Sequence, residues 1–248
     1  MGEEAFSELG YAREVGEHIQ SEHHEVRLSR EEFFLSLPKL IWHEDEPIVW
    51  PSSTSLYFVA RLAREYVTVA LTGEGSDETL AGYARYPRTL LNSRMDSACR
   101  SVMPNGFRRL VRKAIESGPL RASFRRKLEH TFLVRDGSSW PLSYYDNFFS
   151  AFAVAEQAEL LTREAMSVSG DSYEGSMDPW ERSRGDLLHR LLYADINSYL
   201  IELLMKQDQM SMAASIESRV PFLDHVWWSS QRRFPRNTHC AGWLENSS

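Results

Sequence analysis

Little in this sequence could staple, anchor or export a chain. Its 248 residues contain only two cysteines, Cys99 and Cys240, far apart and in no paired spacing. That excludes a disulfide framework and a cysteine-based zinc site, so both read as free thiols. No run approaches the roughly 18 apolar residues needed to span a bilayer. The opening Met1-Gly2-Glu3-Glu4 is acidic and lacks the basic-then-apolar order of a secretory leader. The chain therefore reads as cytoplasmic, with no membrane partner. Positive charge is also in deficit: 28 Lys and Arg stand against 35 Asp and Glu, for a net charge of -7. Phosphate backbones are held mainly by Lys and Arg, so a generic nucleic-acid partner is disfavoured. What remains is 42% hydrophobic and 25% charged, enough for one large or two small globular domains.

Periodicity divides the chain into alternating elements. Phe6, Leu9, Ala12, Val15 and Ile19 recur at helical spacing despite Gly10, and His24 to Leu28 alternates as a strand would. Ser29-Arg30-Glu31-Glu32 has the form of a capping box opening the next helix. Pro38 interrupts the apolar run that follows, and the acidic stretch from His43 to Pro47 reads as a loop. Pro51 to Thr54 supplies N-cap candidates for a helix to about Glu65, with Leu56, Val59, Ala60, Leu62 and Ala63 inward. Val67 to Thr72 is β-branched and apolar, the pattern of a central buried parallel strand. It runs into Gly73-Glu74-Gly75-Ser76-Asp77-Glu78, an order that points to an α/β layer. Nine Lys or Arg against one acid between Arg100 and Lys127 alternate with apolar residues, the pattern of an amphipathic helix with a solvated face rather than an RNA site. Gly170 to Pro179 reads as an acidic loop, and Leu187 to Met205 as the longest helix.

Two places could carry chemistry. Glycines 73 and 75 let the backbone approach a ligand, and a helix beginning near Asp77 would aim free N–H groups at an anion. No Lys follows, as a Walker loop requires, and the third glycine of a dinucleotide fingerprint is missing. Glu74, Asp77 and Glu78 would repel a polyphosphate unless a dication lay between them, and one or two carboxylates plus substrate phosphates is the usual way to hold magnesium. The second place is Lys206, a lone cation among Leu203, Leu204, Met205 and Met210. Partial burial there calls for an anion, either Asp208 or a ligand phosphate. Farther on, Arg219 has Glu217 and Asp224 within reach. His18, His23, His24 and His43 follow no recognised metal-ligand spacing.

The order of Asp45-Glu46-Pro47, Thr72 to Glu78 with Ala81-Gly82-Tyr83, Asp195 to Leu200, Lys206 to Met212 and Arg219-Val220-Pro221-Phe222-Leu223-Asp224 resembles the asparagine synthetase family. The resemblance is to the C-terminal synthetase domain of the glutamine-hydrolysing enzymes and is strongest over residues 5–226. It implies an α-rich α/β fold of the adenine-nucleotide alpha-hydrolase-like, ATP-pyrophosphatase type, with ATP and Mg2+ as cofactors. Aspartate's side-chain carboxylate would be activated as an acyl-adenylate and attacked by ammonia. Asp77 would hold magnesium with the pyrophosphate, and Glu74 would take a proton from ammonia. Lys206 would stabilise charge at phosphorus, while Gly73, Gly75 and Ser76 would line the nucleotide.

The family's Ser-Gly-Gly-x-Asp-Ser loop does not occur in residues 1–248, and residue 2 is Gly where the glutaminase cysteine would stand. The expectation is an incomplete synthetase domain over 1–248, cut at both ends, inactive and aggregation-prone alone. Ammonia would then come from a glutaminase domain outside this chain. A non-catalytic remnant acting through protein contacts, and a related amidotransferase or lactam synthetase with another carboxylate substrate, are the competing readings. A homodimer stays open.

Overall fold

The computed structural model describes residues 9–47, 50–118, 121, 128, 131–133, 141, 144–145, 148, 159–169 and 173–231. Eleven helices and two short strands can be named among them: α1 (Leu9–His18), α2 (Arg30–Glu44), α3 (Ser52–Ala63), β1 (Val69–Leu71), α4 (Ser76–Leu80), α5 (Arg85–Val102), α6 (Asn105–Ser117), α7 (Arg163–Ser169), α8 (Glu174–Arg182), α9 (Leu187–Asn197), α10 (Tyr199–Ala213), β2 (Glu217–Arg219) and α11 (His225–Gln231). The chain is helix-rich with a small parallel sheet, in line with the expected α-rich α/β class. No helix among the described residues is long and apolar enough to cross a membrane. Two compact units divide it, one of Met1–Gly73 with Glu202–Pro221 and one of Glu74–Ile201 with Phe222–Ser248.

In the first unit, Ser29 caps α2 as its sequence predicts. Its hydroxyl accepts from the Glu32 backbone at 3.2 Å while the Glu32 carboxylate accepts from the Ser29 N–H at 2.9 Å. The helix runs on through Pro38 to Glu44, past the expected break. The carbonyl that Pro38 leaves unpaired belongs to Phe34, which is 60% exposed, so water can satisfy it. Residues 24–28 are irregular rather than a strand. Their side chains are taken up locally: the Glu25 carboxylate accepts from Arg13, and the His24 ring lies 4.3 Å from that of Tyr66.

Leu40, Tyr57 and Met210 form this unit's core, with Leu56, Phe58, Ala213 and Ala214 against it. The inward side of α3 is therefore Ser53, Thr54, Tyr57 and Ala60, whereas Val59, expected inside, is exposed. The Tyr57 ring, not the β-branched residue, reaches Leu40. β1 pairs in parallel with β2 in the register Val69 to Glu217, Ala70 to Ser218 and Leu71 to Arg219. The expected buried central strand is corrected here. Val69 and Leu71 are exposed, because among the described residues the sheet has two strands and β1 has a neighbour on one side only.

The second unit has an aromatic core of Tyr86, Tyr144, Tyr145, Tyr173 and Trp180 with Ala81, Leu191 and Ala194. α8 occupies part of the expected 170–179 loop, with residues 170–172 outside the described ones. Trp180, 5% exposed, draws the segment into the core. The single helix expected over 187–205 is instead α9 and α10, broken at Ser198. The Ser198 hydroxyl donates to the Ala194 carbonyl at 2.7 Å, a side-chain bond that competes with helix continuation. In the basic stretch, α6 buries Ile115 but leaves Leu110 exposed.

Candidate active site

The acidic turn is shaped by what its glycines exclude. Gly75 has φ +85° and caps α4 in the left-handed region. A Cβ there would stand 2.4 Å from Leu223 Cδ2, so both conformation and space require glycine. α4 spans only five residues and ends at Ala81, itself left-handed with φ 59°. The helix expected near Asp77 is present as this single short turn, and its first residues also carry the Asp77 and Glu78 carboxylates. The chain then doubles back, and the Gly82 N–H donates to the Asp77 carbonyl at 3.0 Å. A Cβ on Gly82 would lie 2.0 Å from Asp77 Oδ1, which means the Asp77 carboxylate is laid directly across this glycine.

The two acids of α4 differ in environment. Glu78 is 1% exposed, and its Oε1 accepts from the Tyr83 hydroxyl at 2.7 Å. Burial raises its pKa, while that hydrogen bond works in the opposite direction. Asp77 is half-buried, and its carboxylate has no hydrogen-bond or ion-pair partner among the described residues. Burial raises its pKa too, and the charge of Arg85 offsets part of the rise. No group of three or more His, Cys, Asp or Glu that could hold a metal occurs among the described residues. A permanently resident metal is thus not built here, but an unpartnered carboxylate fits a magnesium ion that arrives with phosphate oxygens of its own.

Gly73 closes the first unit, and its Cβ position faces open space, leaving its backbone approachable. Ser76 is half-buried at the first position of α4, and Glu74 is also half-buried. Gly75, Ser76 and Asp77 are thus brought together on one turn with Glu74 and Glu78. Lys206 belongs to the first unit, where it is half-buried with its Nζ 3.4 Å from Ser52 Oγ. That hydroxyl, rather than Asp208, is its protein neighbour. Three residues along α10, the Gln209 amide donates to the Glu44 carbonyl at 3.1 Å. Close by in sequence, Ser53 and Thr54 bury hydroxyls that find no partner among the described residues. Arg219 pairs with Glu217 at the surface.

Sequence reasoning missed a buried cage next to the turn. One oxygen of Asp195, Oδ2, accepts from Arg85 Nη2 at 2.8 Å and from the hydroxyls of Tyr86 and Tyr144 at 2.7 Å each. Burial alone would lower the Arg85 pKa, but the Asp195 charge overrides it and raises it; both tyrosines are raised, by burial first and then by Asp195. A signal was present in α9, where Asp195 lies on the same apolar stripe as Leu191 and Ala194. A carboxylate on a buried face needs a cation.

These features define a helix-rich α/β protein with an acidic glycine turn at the exit of a parallel strand. The model of the asparagine synthase family matches residues 1–229, and the chain belongs to that family. It is 30% identical over 234 residues to the glutamine-hydrolysing asparagine synthetase 1 of Bacillus subtilis, covering 94% of this chain and 35% of that protein. A Mycobacterium bovis protein named as a glutamine-hydrolysing asparagine synthetase is 33% identical, over 94% of this chain and 34% of its own length. A more distant relative is the amidase chyE of Penicillium rubens, 23% identical over 88% of this chain and 33% of its own. The chain thus spans about a third of the length of the curated relatives it matches.

Proposed function

We propose that this chain supplies the ATP-using, amide-forming part of an asparagine synthetase, on an adenine-nucleotide alpha-hydrolase-like fold of the ATP-pyrophosphatase type. The observation that supports this most directly is the Asp77 carboxylate, seated across Gly82 with no hydrogen-bond or ion-pair partner among the described residues, on a glycine turn leaving a parallel strand. Gly73, Gly75 and Ser76 line the nucleotide there.

The aspartate side-chain carboxylate attacks the α-phosphorus of ATP, and the bond to pyrophosphate breaks. Lys206 stabilises the negative charge that gathers on the α-phosphate. Ammonia, delivered by a glutaminase domain outside this chain, then attacks the acyl carbon. The Glu74 carboxylate takes the proton that the nitrogen must shed, and AMP leaves with the oxygen it gained. Asp77 is the protein carboxylate that would hold Mg2+, which when bound neutralises the phosphate oxygens. The reaction takes place in the cytoplasm.

The test is aspartate-dependent exchange of labelled pyrophosphate into ATP by the full-length protein. Lys206→Ala and Asp77→Ala should each slow exchange by about a hundredfold or more. Glu74→Ala should leave exchange in place and cut amide formation by about a hundredfold or more. No exchange by the unmodified protein sinks the reading, and three variants with both half-reactions intact sink the role assignments. The amidase relative supports a second reading, in which another carboxylate is the acceptor. Exchange driven by that acid and not by aspartate would select it.

A further inference from the structure

The cage around Asp195 is connected to the acidic turn through one arginine. Asp195 is completely buried and the Arg85 side chain nearly so, with exposures of 0% and 11%. The guanidinium donates to Asp195 Oδ2 through Nη2 at 2.8 Å and Nε at 3.2 Å, and Nε also reaches the Tyr144 hydroxyl at 2.8 Å. Its flat faces are occupied as well. The Arg85 Cζ lies 3.8 Å from the centroid of the Tyr83 ring and 4.7 Å from that of Tyr199. A guanidinium held at its edge by a carboxylate and on its faces by aromatic rings has no rotational freedom left.

The immobility passes outward. Tyr83, fixed on one face by Arg85, donates its hydroxyl to Glu78 Oε1 at 2.7 Å. Glu78 adjoins Asp77 in the single turn of α4, and Gly82, adjoining Tyr83, lies beneath the Asp77 carboxylate. Each link from Asp195 to Asp77 is a direct contact or a peptide bond. We propose that Arg85 is a positioning residue: clamped by Asp195, it fixes Tyr83, and Tyr83 fixes the Glu78–Asp77 pair in the geometry that a divalent cation requires. This rests on the reading of Asp77 as a metal ligand. The Arg85 charge also reaches both carboxyls and opposes the effect of their burial.

A purely structural ion pair would hold the core together without affecting the turn. Arg85→Lys separates the two roles, because lysine keeps the charge but loses the planar fork and the stacking. Tyr83→Phe cuts the chain of contacts at its other end while keeping the ring on Arg85. Tyr145→Phe is the control: it removes a hydrogen bond to the Ser176 carbonyl in the same aromatic core while keeping its ring, the stacking of Arg85 on Tyr83 and the hydrogen bond from Tyr83 to Glu78.

The probe is Mn2+ in the presence of inorganic pyrophosphate, titrated into the full-length protein and followed by water-proton relaxation. Binding should weaken about tenfold in Arg85→Lys and in Tyr83→Phe, as for partners that orient a metal ligand, and stay within about twofold in Tyr145→Phe. Arg85→Lys and Tyr83→Phe both within about twofold of the unmodified protein overturn the inference while leaving the metal reading standing. Should Arg85→Lys fail to fold, Tyr83→Phe decides alone. An unmodified protein that takes up no Mn2+ in the presence of pyrophosphate overturns the metal reading itself, and the inference with it.

Discussion

Arg85 with Asp195 in the second unit and Arg13 with Glu25 in the first are the same chemistry in different surroundings. The first pair is 11% and 0% exposed, the second 50% and 18%. Arg13 reaches Glu25 through both Nε and Nη2, the latter at 2.7 Å, a two-pronged geometry fully as good as that of the buried pair. What differs is the alternative open to each partner. Arg13 and Glu25 can return to water, so their pairing adds little to stability. Arg85 and Asp195 cannot, so each is indispensable to the other even if the pair as a whole contributes little net stability. The two cores differ in the same sense. The first unit closes on Leu40, Tyr57 and Met210, all gathered by apolar contact, whereas the second wraps its tyrosines around a carboxylate.

Asp195→Ala tests that contrast most severely. It strands the Arg85 charge and leaves the hydroxyls of Tyr86 and Tyr144 without their acceptor, a loss of about 3–5 kcal/mol. Urea unfolding should show it as a large drop in midpoint, partly restored in Asp195→Ala/Arg85→Met, where no charge is left unpaired. A cost under about 1 kcal/mol would mean the cage is peripheral to the core. Leu40→Ala is the apolar counterpart in the first unit. Leu40 is completely buried, but few buried side chains surround it, so the cost should fall at the low end of the range for such truncations, about 2–3 kcal/mol. The same urea titration measures it. A larger loss than for Asp195→Ala would reverse the ranking of the two cores.

The turn and the elements that lead into it were readable because their signals are local. The capping box at Ser29 and Glu32 and the glycine–acid run from Gly73 to Glu78 each determine their geometry within a few residues. The strand expected at His24 to Leu28 failed because alternation says only that a segment could be half-buried. It cannot supply a neighbour, and here His24 and Glu25 found side-chain partners instead. β1 was placed correctly but taken as buried, since β-branched composition reports fitness for a sheet and not the number of strands beside it. Val59 was expected inside α3 for the same kind of reason, and the longer Tyr57 took the contact. The Asp195 cage was beyond local reasoning altogether: Arg85, Tyr144 and Asp195 are separated by tens of residues, and only folding brings them to one oxygen.

The smallest effect expected is at the exposed pair, and it is read by titration rather than by unfolding. The hydrogen bond from Arg13, helped by one from His23 and opposed by burial, holds the Glu25 carboxyl at about 2, below its ordinary 4.5. A carboxyl whose pKa is lower in the folded chain contributes stability that is fully present above the unfolded value. That contribution is lost as pH falls through the folded one. For Glu25 the window runs from 4.5 down to about 2. In Arg13→Gln the hydrogen-bonded charge is gone, so the Glu25 midpoint, followed by carboxyl carbon chemical shifts in NMR, should climb back toward 4.5, leaving only the smaller pull of His23. The acid-unfolding curve should lose part of its slope in that window, and stability at neutral pH should fall by the amount that slope supplied, a small loss because the pair is screened by water. A Glu25 midpoint that stays near 2 in the variant would show that His23 or the local backbone, and not Arg13, holds the carboxylate, and the contrast between the two arginines would then have to be drawn on burial alone.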